Sequence, residues 1–282
     1  MQTIILATDF SEAALRAGIY AAMLTRQMPV TRLILYHSYY DLIATDVPLT
    51  DAEYYLKIQE DSIRRLNDIK SRLIPLVAAG VAIECLANMS SLQEAIRVDF
   101  LKENTELVVM GITGKSKVKE KIMGSQAIMA ARHTTVPLLL IPFDATYKGI
   151  KRIVFAWDME NSEKTFPERL FKSILQVLKA ELFMLNIDYN NKNFSKETIK
   201  EQAFMHHSLD PVNAKYFYSN HPDAAQGIID FAERQQADLV MIVPRKKTFP
   251  NNLFRKKVTN RLAFHIKIPL LILPGNKQRA LD

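Results

Sequence analysis

Apolar residues recur along this 282-residue chain in two textures: short continuous runs, and longer stretches where they return every three or four residues. Residues 3–8, Thr-Ile-Ile-Leu-Ala-Thr, are the first run and predict a buried strand. Asp9-Phe-Ser11 turns the chain, and Ser11 is placed to cap a helix from Glu12 to near Arg26 with Leu15, Ile19, Ala22 and Met23 on one face. A second strand is expected at 32–38. Thr50 or Asp51 should cap a long helix that ends near Ile74, before Pro75. A third strand follows at about 81–86. Ser91-Leu-Gln-Glu94 has the form of a capping box opening a helix through Ile96 and Phe100. A strand at 107–111, a helix at 125–133 and a strand at 136–141 close the series.

Five strands thus alternate with four helices, and the strands are apolar runs rather than alternating ones. Both features indicate a parallel sheet covered on both faces. The pattern then begins again. Arg152-Ile-Val-Phe-Ala-Trp-Asp158 repeats Thr3-Ile-Ile-Leu-Ala-Thr-Asp9, and from Ser91 onward the halves align at an offset of 132. Ser91 and Glu94 fall on Asp223 and Gln226, so the capping box is expected twice. Val136-Pro-Leu-Leu-Leu-Ile-Pro142 falls on Ile268-Pro-Leu-Leu-Ile-Leu-Pro274. This internal repeat divides the chain into domains at 1–145 and 150–282.

Three of the eight glycines stand together in Gly111-Ile-Thr-Gly114-Lys-Ser-Lys-Val-Lys-Glu-Lys-Ile-Met-Gly124, followed by Ser125. A strand, a glycine-bearing loop and a helix start present backbone N–H groups and a positive dipole end to an anion, usually a phosphate. Lys115, Lys117, Lys119 and Lys121 add charge. The second half loses the loop: Gly111, Gly114, Gly124 and Ser125 fall on Val243, Lys246, Lys256 and Lys257. That half holds an anion through side chains or holds none.

Composition narrows the classes. No apolar run reaches the ~18–20 residues of a membrane span. The opening run is interrupted by Asp9 and has no basic flank, so it does not read as a signal peptide. A single cysteine, Cys85, sits in an apolar run and excludes an intrachain disulfide framework. A cytoplasmic protein without a membrane partner is expected. The net charge of +7 resides in the second half: residues 1–145 carry 15 basic and 16 acidic side chains, residues 146–282 carry 22 and 14. So modest an excess reads as solvated surface, and a nucleic-acid partner is not expected.

Several decoys fail on spacing. Thr113-Gly-Lys-Ser116 resembles the end of a P-loop, but the motif needs glycine at 109, where Val109 stands. His206 and His207, with Asp210, lack a further ligand at useful spacing, so no metal site is expected. His37, Ser38 and Asp9 do not make a triad, because neighbours in a strand face opposite ways.

Thr8-Asp9-Phe-Ser-Glu12, the spacing Gly111-x2-Gly114-x9-Gly124-Ser125 and the closing Val136–Pro142 together resemble the universal stress protein family, in a tandem of two domains. The resemblance implies an open parallel five-stranded α/β sandwich of strand order 3-2-1-4-5 in each half, the last strands meeting within the chain as a pseudo-dimer. It implies ATP, or ADP or AMP, across the carboxyl ends of strands 1 and 4, with Mg²⁺ carried by the phosphates. Asp9 would hold adenine beside Thr8 and Met110, with backbone near Ser38. Gly111 and Gly114 would approach ribose and phosphates. Gly124, Ser125 and Gln126 would bind the triphosphate, although position 126 is often smaller in the family. In the second half Asp158 matches Asp9 while Trp157 replaces Thr8, either stacking on a base or filling the pocket. The function implied is a nucleotide-binding regulatory module of the stress response. The alternatives are an interaction scaffold, which could include a further homodimer or a protein partner, and a weak ATPase, for which no general base is evident.

Overall fold

The computed structural model describes residues 3–40, 52–97, 105–113, 127, 130–131, 135–188, 196–244 and 253–276. The first half runs β1 (Thr3–Ala7), α1 (Glu12–Leu24), β2 (Arg32–Ser38), α2 (Ala52–Leu73), β3 (Ala82–Asn88), α3 (Leu92–Arg97), β4 (Thr105–Ile112) and β5 (Leu138–Pro142). Residues 127, 130 and 131 are helical, between β4 and β5. The second half runs β6 (Arg152–Ala156), α4 (Ser162–Thr165), α5 (Glu168–Leu178), β7 (Glu181–Asp188), α6 (Lys196–Leu209), β8 (Ala214–Asn220), α7 (Ala224–Arg234), β9 (Leu239–Ile242), α8 (Leu253–His265) and β10 (Leu270–Ile272).

The ten strands of the described residues form a single sheet of order β3-β2-β1-β4-β5-β10-β9-β6-β7-β8. Each half therefore has the order 3-2-1-4-5. Within each half every pairing is parallel. The halves join where β5 and β10 pair antiparallel, Leu138 to Leu140 against Ile272 to Leu270.

Strand alternation sorts the core into two layers. Ile4 and Leu6 lie with Leu33, Leu35, Leu107 and Val109 under α1 and α2. Ile5 and Ala7 lie with Ile34, Tyr36, Val108 and Met110 on the other face, with Ala127, Ala130 and Ala131. Both layers continue into the second half: Phe155 and Phe171 belong to the first, Val154 and Ile229 to the second. Leu24 and Met28 of the first half and Ile174 and Leu178 of the second close on the same apolar seam beside Leu139 and Leu271.

Gln27 makes a polar bridge across the seam. Its Nε2 donates to the carbonyls of Ile150 (2.7 Å) and Leu178 (3.0 Å), and its Oε1 accepts from Tyr147 Oη (2.6 Å) and Ile150 N (2.8 Å). The ring of Tyr20 meets Tyr147 edge-on at 5.1 Å. On the other side of the linker Asp238 Oδ2 accepts from the N–H groups of Lys151 and Arg152, fixing the start of β6.

The capping box at Ser91 is complete. Ser91 N and Oγ donate to Glu94 Oε2, and Glu94 N donates to Ser91 Oγ. Its expected repeat is only half formed. Asp223 Oδ1 caps Ala225 N and Gln226 N, but the Gln226 side chain turns to Asp230. The His221 ring occupies the place the Gln side chain would have to reach: its Nδ1 lies 2.6 Å from Asp223 O and 3.0 Å from Asp223 N.

Gln27→Ala is expected to cost about 2 kcal/mol in chemical denaturation, since it strips four hydrogen bonds from the seam. Gln27→Glu, of nearly the same shape, should be no milder, because a carboxylate cannot donate to Ile150 O and Leu178 O.

Candidate functional site

In an open parallel sheet, ligands sit outside the carboxyl ends of the strands where the strand order reverses. In the first half that point lies between β1 and β4. The pairing of Ala7 with Met110 there sets Thr8 beside Gly111. Ser38, at the end of β2, flanks them. Five of the sequence-derived site residues, Thr8, Asp9, Ser38, Met110 and Gly111, thus meet at one end of three adjacent strands. Gly114, Gly124, Ser125 and Gln126 lie outside the described residues.

The β1 turn is built by its own side chains. Thr8 Oγ1 accepts from Phe10 N (3.0 Å), Asp9 Oδ1 from Ser11 N (2.9 Å) and Ser11 Oγ from Ala14 N (3.2 Å). These bonds hold Phe10 in the left-handed region at φ 67°, where a residue without glycine's freedom is strained. Thr8 and Met110 are buried, whereas Asp9 is exposed and Ser38 half-buried. Of the sequence-derived site residues placed here, Asp9 and Ser38 therefore carry the accessible hydrogen-bonding side chains. A carboxylate here suits the amino edge of a base better than a phosphate.

His37 is buried under this turn. Its Nδ1 lies 2.8 Å from Thr8 O, and its ring packs on Phe10 at 4.2 Å. The Arg65 guanidinium covers the Phe10 ring at 4.0 Å. Since a carbonyl only accepts, Nδ1 carries the proton. The second half shows the same bond made by another residue: Asn186, the register counterpart of His37, donates Nδ2 to Trp157 O at 2.8 Å. His37 is thus a strand-end brace, with no part in a triad. Burial pushes its pKa down; the Thr8 bond and Asp9 oppose this and Arg65 adds to it. Its buried Nε2 has no hydrogen-bond partner among the described residues.

Gly111 is required by packing. A Cβ there would lie 2.3 Å from Ala13 O and 2.9 Å from Ala14 N, in the first turn of α1. No positive φ is involved. The close approach that sequence spacing attributes to a ligand is, at this position, an approach of the sheet to its own helix. Spacing marks a glycine but does not say which partner needs it.

The second half repeats the frame with other side chains. Met159 takes the left-handed position of Phe10 at φ 50°. Trp157, Ile187 and Val243 stand where Thr8, Ser38 and Gly111 stand in the first half. Val243 cannot accept a helix as close as α1. There the helix is interrupted: α4 ends at Thr165, Phe166 is extended (φ −73°, ψ 122°) before Pro167, and α5 begins at Glu168. Trp157 is buried and donates Nε1 to Ser162 Oγ at 2.7 Å. It walls the pocket without filling it.

The remaining candidates have ordinary settings. His206 stacks on Tyr216 at 3.8 Å. Burial raises the pKa of Cys85. No described helix is long and apolar enough to cross a membrane.

Compared with known proteins, the chain matches the sequence model of the universal stress protein family twice, over residues 1–142 and 150–274. No curated protein sequence matches it significantly. Among solved structures, a universal stress protein from Archaeoglobus fulgidus superposes with a TM-score of 0.71 at 15% identity, covering 96% of this chain and 98% of that one. A functionally unknown protein from Pseudomonas aeruginosa gives 0.60 at 15% identity, with 99% and 94% covered. The cytoplasmic domain of a prokaryotic cation chloride cotransporter gives 0.53 at 11% identity, with 99% and 98% covered. At these identities the structural likeness establishes the fold alone.

Two outcomes are expected. Gly111→Ala should destabilise the protein by about 3 kcal/mol or more in urea titration, because two rigid backbones must separate. For His37, a folded pKa below the unfolded value means the unfolded chain binds more protons, so stability falls as pH drops below about 6.5. His37→Asn, which copies the brace at Asn186, should keep stability at pH 8 and flatten the fall between pH 7 and pH 5.

Proposed function

Since the chain belongs to the universal stress protein family, we propose that its first half is a nucleotide-binding regulatory module of the stress response that takes ATP, or ADP or AMP, without breaking it down. The observation that carries this reading is the convergence of Thr8, Asp9, Ser38 and Gly111 at the switch point of a parallel sheet, with the Gly111–Ser125 stretch leaving β4 at that point. Asp9 receives a hydrogen bond from the adenine amino group, and backbone at the end of β2 near Ser38 completes the base edge. Thr8 and Met110 form the floor. Gly114, Gly124, Ser125 and Gln126 offer backbone N–H groups and a hydroxyl to the phosphates, beside the lysines of the same stretch. Mg²⁺ arrives with the phosphates. Nucleotide binding then biases which protein partner the module engages. Gly111 supports the site by seating α1 and need not touch the nucleotide.

A second reading has its own observation. The seam between β5 and β10 joins both cores whatever is bound. A chain of this kind can act as an interaction scaffold even when no nucleotide is present.

Isothermal titration with ATP and Mg²⁺ is expected to give a single site per chain. Asp9→Ala should weaken it about tenfold or more, the scale of one or two lost polar contacts, and Gly124→Val should abolish it. Stoichiometric, full-affinity binding by the double variant would overturn the assignment. Gly111 variants do not serve here, because they act through the fold.

A further inference from the structure

The switch point of the second half holds a partly open space of about 120 Å³ at the carboxyl ends of β6, β7 and β9, bordered by α4, the start of α7 and α8. Its wall is apolar where the first half is polar or bare. Trp157, Ile187 and Val243 line it in place of Thr8, Ser38 and Gly111, joined by Phe155, Phe166 and Ile228. Val243 and the break at Phe166–Pro167 together account for the space. The strand carries a side chain where the first half has none, and the helix that closes over Gly111 is interrupted over Val243.

We infer that the second half binds a small neutral apolar molecule, of the size of a single aromatic ring or a branched aliphatic group, in this cavity. Size and chemistry both set the class. An engineered apolar cavity of about 150 Å³ takes up benzene, so the apolar part of this space is of the size of one ring. Among the described lining residues Asp158 alone is ionisable, and it is exposed. An anion would meet a carboxylate at the mouth and no cation among those residues. Two of the lining hydroxyls already have partners: Ser162 Oγ accepts from Trp157 Nε1, and Thr165 Oγ1 donates to Asn161 O. A ligand entering here gains by leaving water and by dispersion contacts with the lining. The inference stands apart from the nucleotide reading, which concerns the other half.

Trp157 is the chain's single tryptophan, so the cavity carries its own reporter. Bromobenzene, a heavy-atom quencher, titrated into the full chain is expected to quench Trp157 fluorescence saturably, with saturating ATP and Mg²⁺ leaving the curve unchanged. Val243→Phe and Ala224→Leu each fill the space from a different element. Either one that keeps the wild-type circular dichroism should bind bromobenzene about tenfold more weakly or worse. Quenching that rises linearly without saturation overturns the inference. So does undiminished affinity in a folded filling variant, or displacement of bromobenzene by ATP.

Discussion

An apolar strand at the edge of a sheet cannot be left facing water, and this chain has two of them. β5 and β10 each end the strand order of their half, and each is buried along its whole length. Left unpaired, either would expose apolar side chains and a row of unsatisfied N–H and C=O groups. Pairing them antiparallel satisfies both edges at once and converts two five-stranded sheets into one of ten strands. The two core layers then run through the junction, and Gln27 places its amide where the linker and the end of α5 offer matching groups. The tandem arrangement is in this sense one folding unit with two switch points.

That coupling bears on how the two switch points differ. The seam lies at the last strands of each half, away from the turns after β1 and β6. The second half can keep its contribution to the shared core while the residues at its switch point change. The frame is retained there in detail: a left-handed residue at Phe10 or Met159, and a brace from His37 or Asn186 to the carbonyl ahead of it. The surface set on that frame is different. Gly111 allows α1 to seat against β4 in one half. Val243 and Pro167 keep the corresponding helix away in the other. A polar turn with an exposed carboxylate and an apolar cavity walled by Trp157 arise from the same backbone plan.

Much of this is legible in the sequence. Continuous apolar runs gave the strands, because strands buried on both faces need no alternation. The repeat was visible because Thr3–Asp9 and Arg152–Asp158 keep the same run and turn, and the capping box at Ser91 could be read because its bonds are all local. Other features depend on partners distant in the chain. The role of Gly111 is set by the backbone of Ala13, nearly a hundred residues earlier. The brace from His37 to Thr8 O depends on the β1–β2 register. The cavity was not foreseen, since Trp157 in place of threonine suggests filling, and only the interrupted helix leaves space beside it. For Gly114, Gly124, Ser125 and Gln126 the sequence spacing remains the basis of the assignment.

The central claim is that one chain with two similar domains carries one working nucleotide site, in the first. Native mass spectrometry of the intact chain with saturating ATP and Mg²⁺ counts that directly. A single adenine nucleotide per chain, lost in Gly124→Val, is the result expected. Two nucleotides per chain, or none at any ATP concentration, would contradict it.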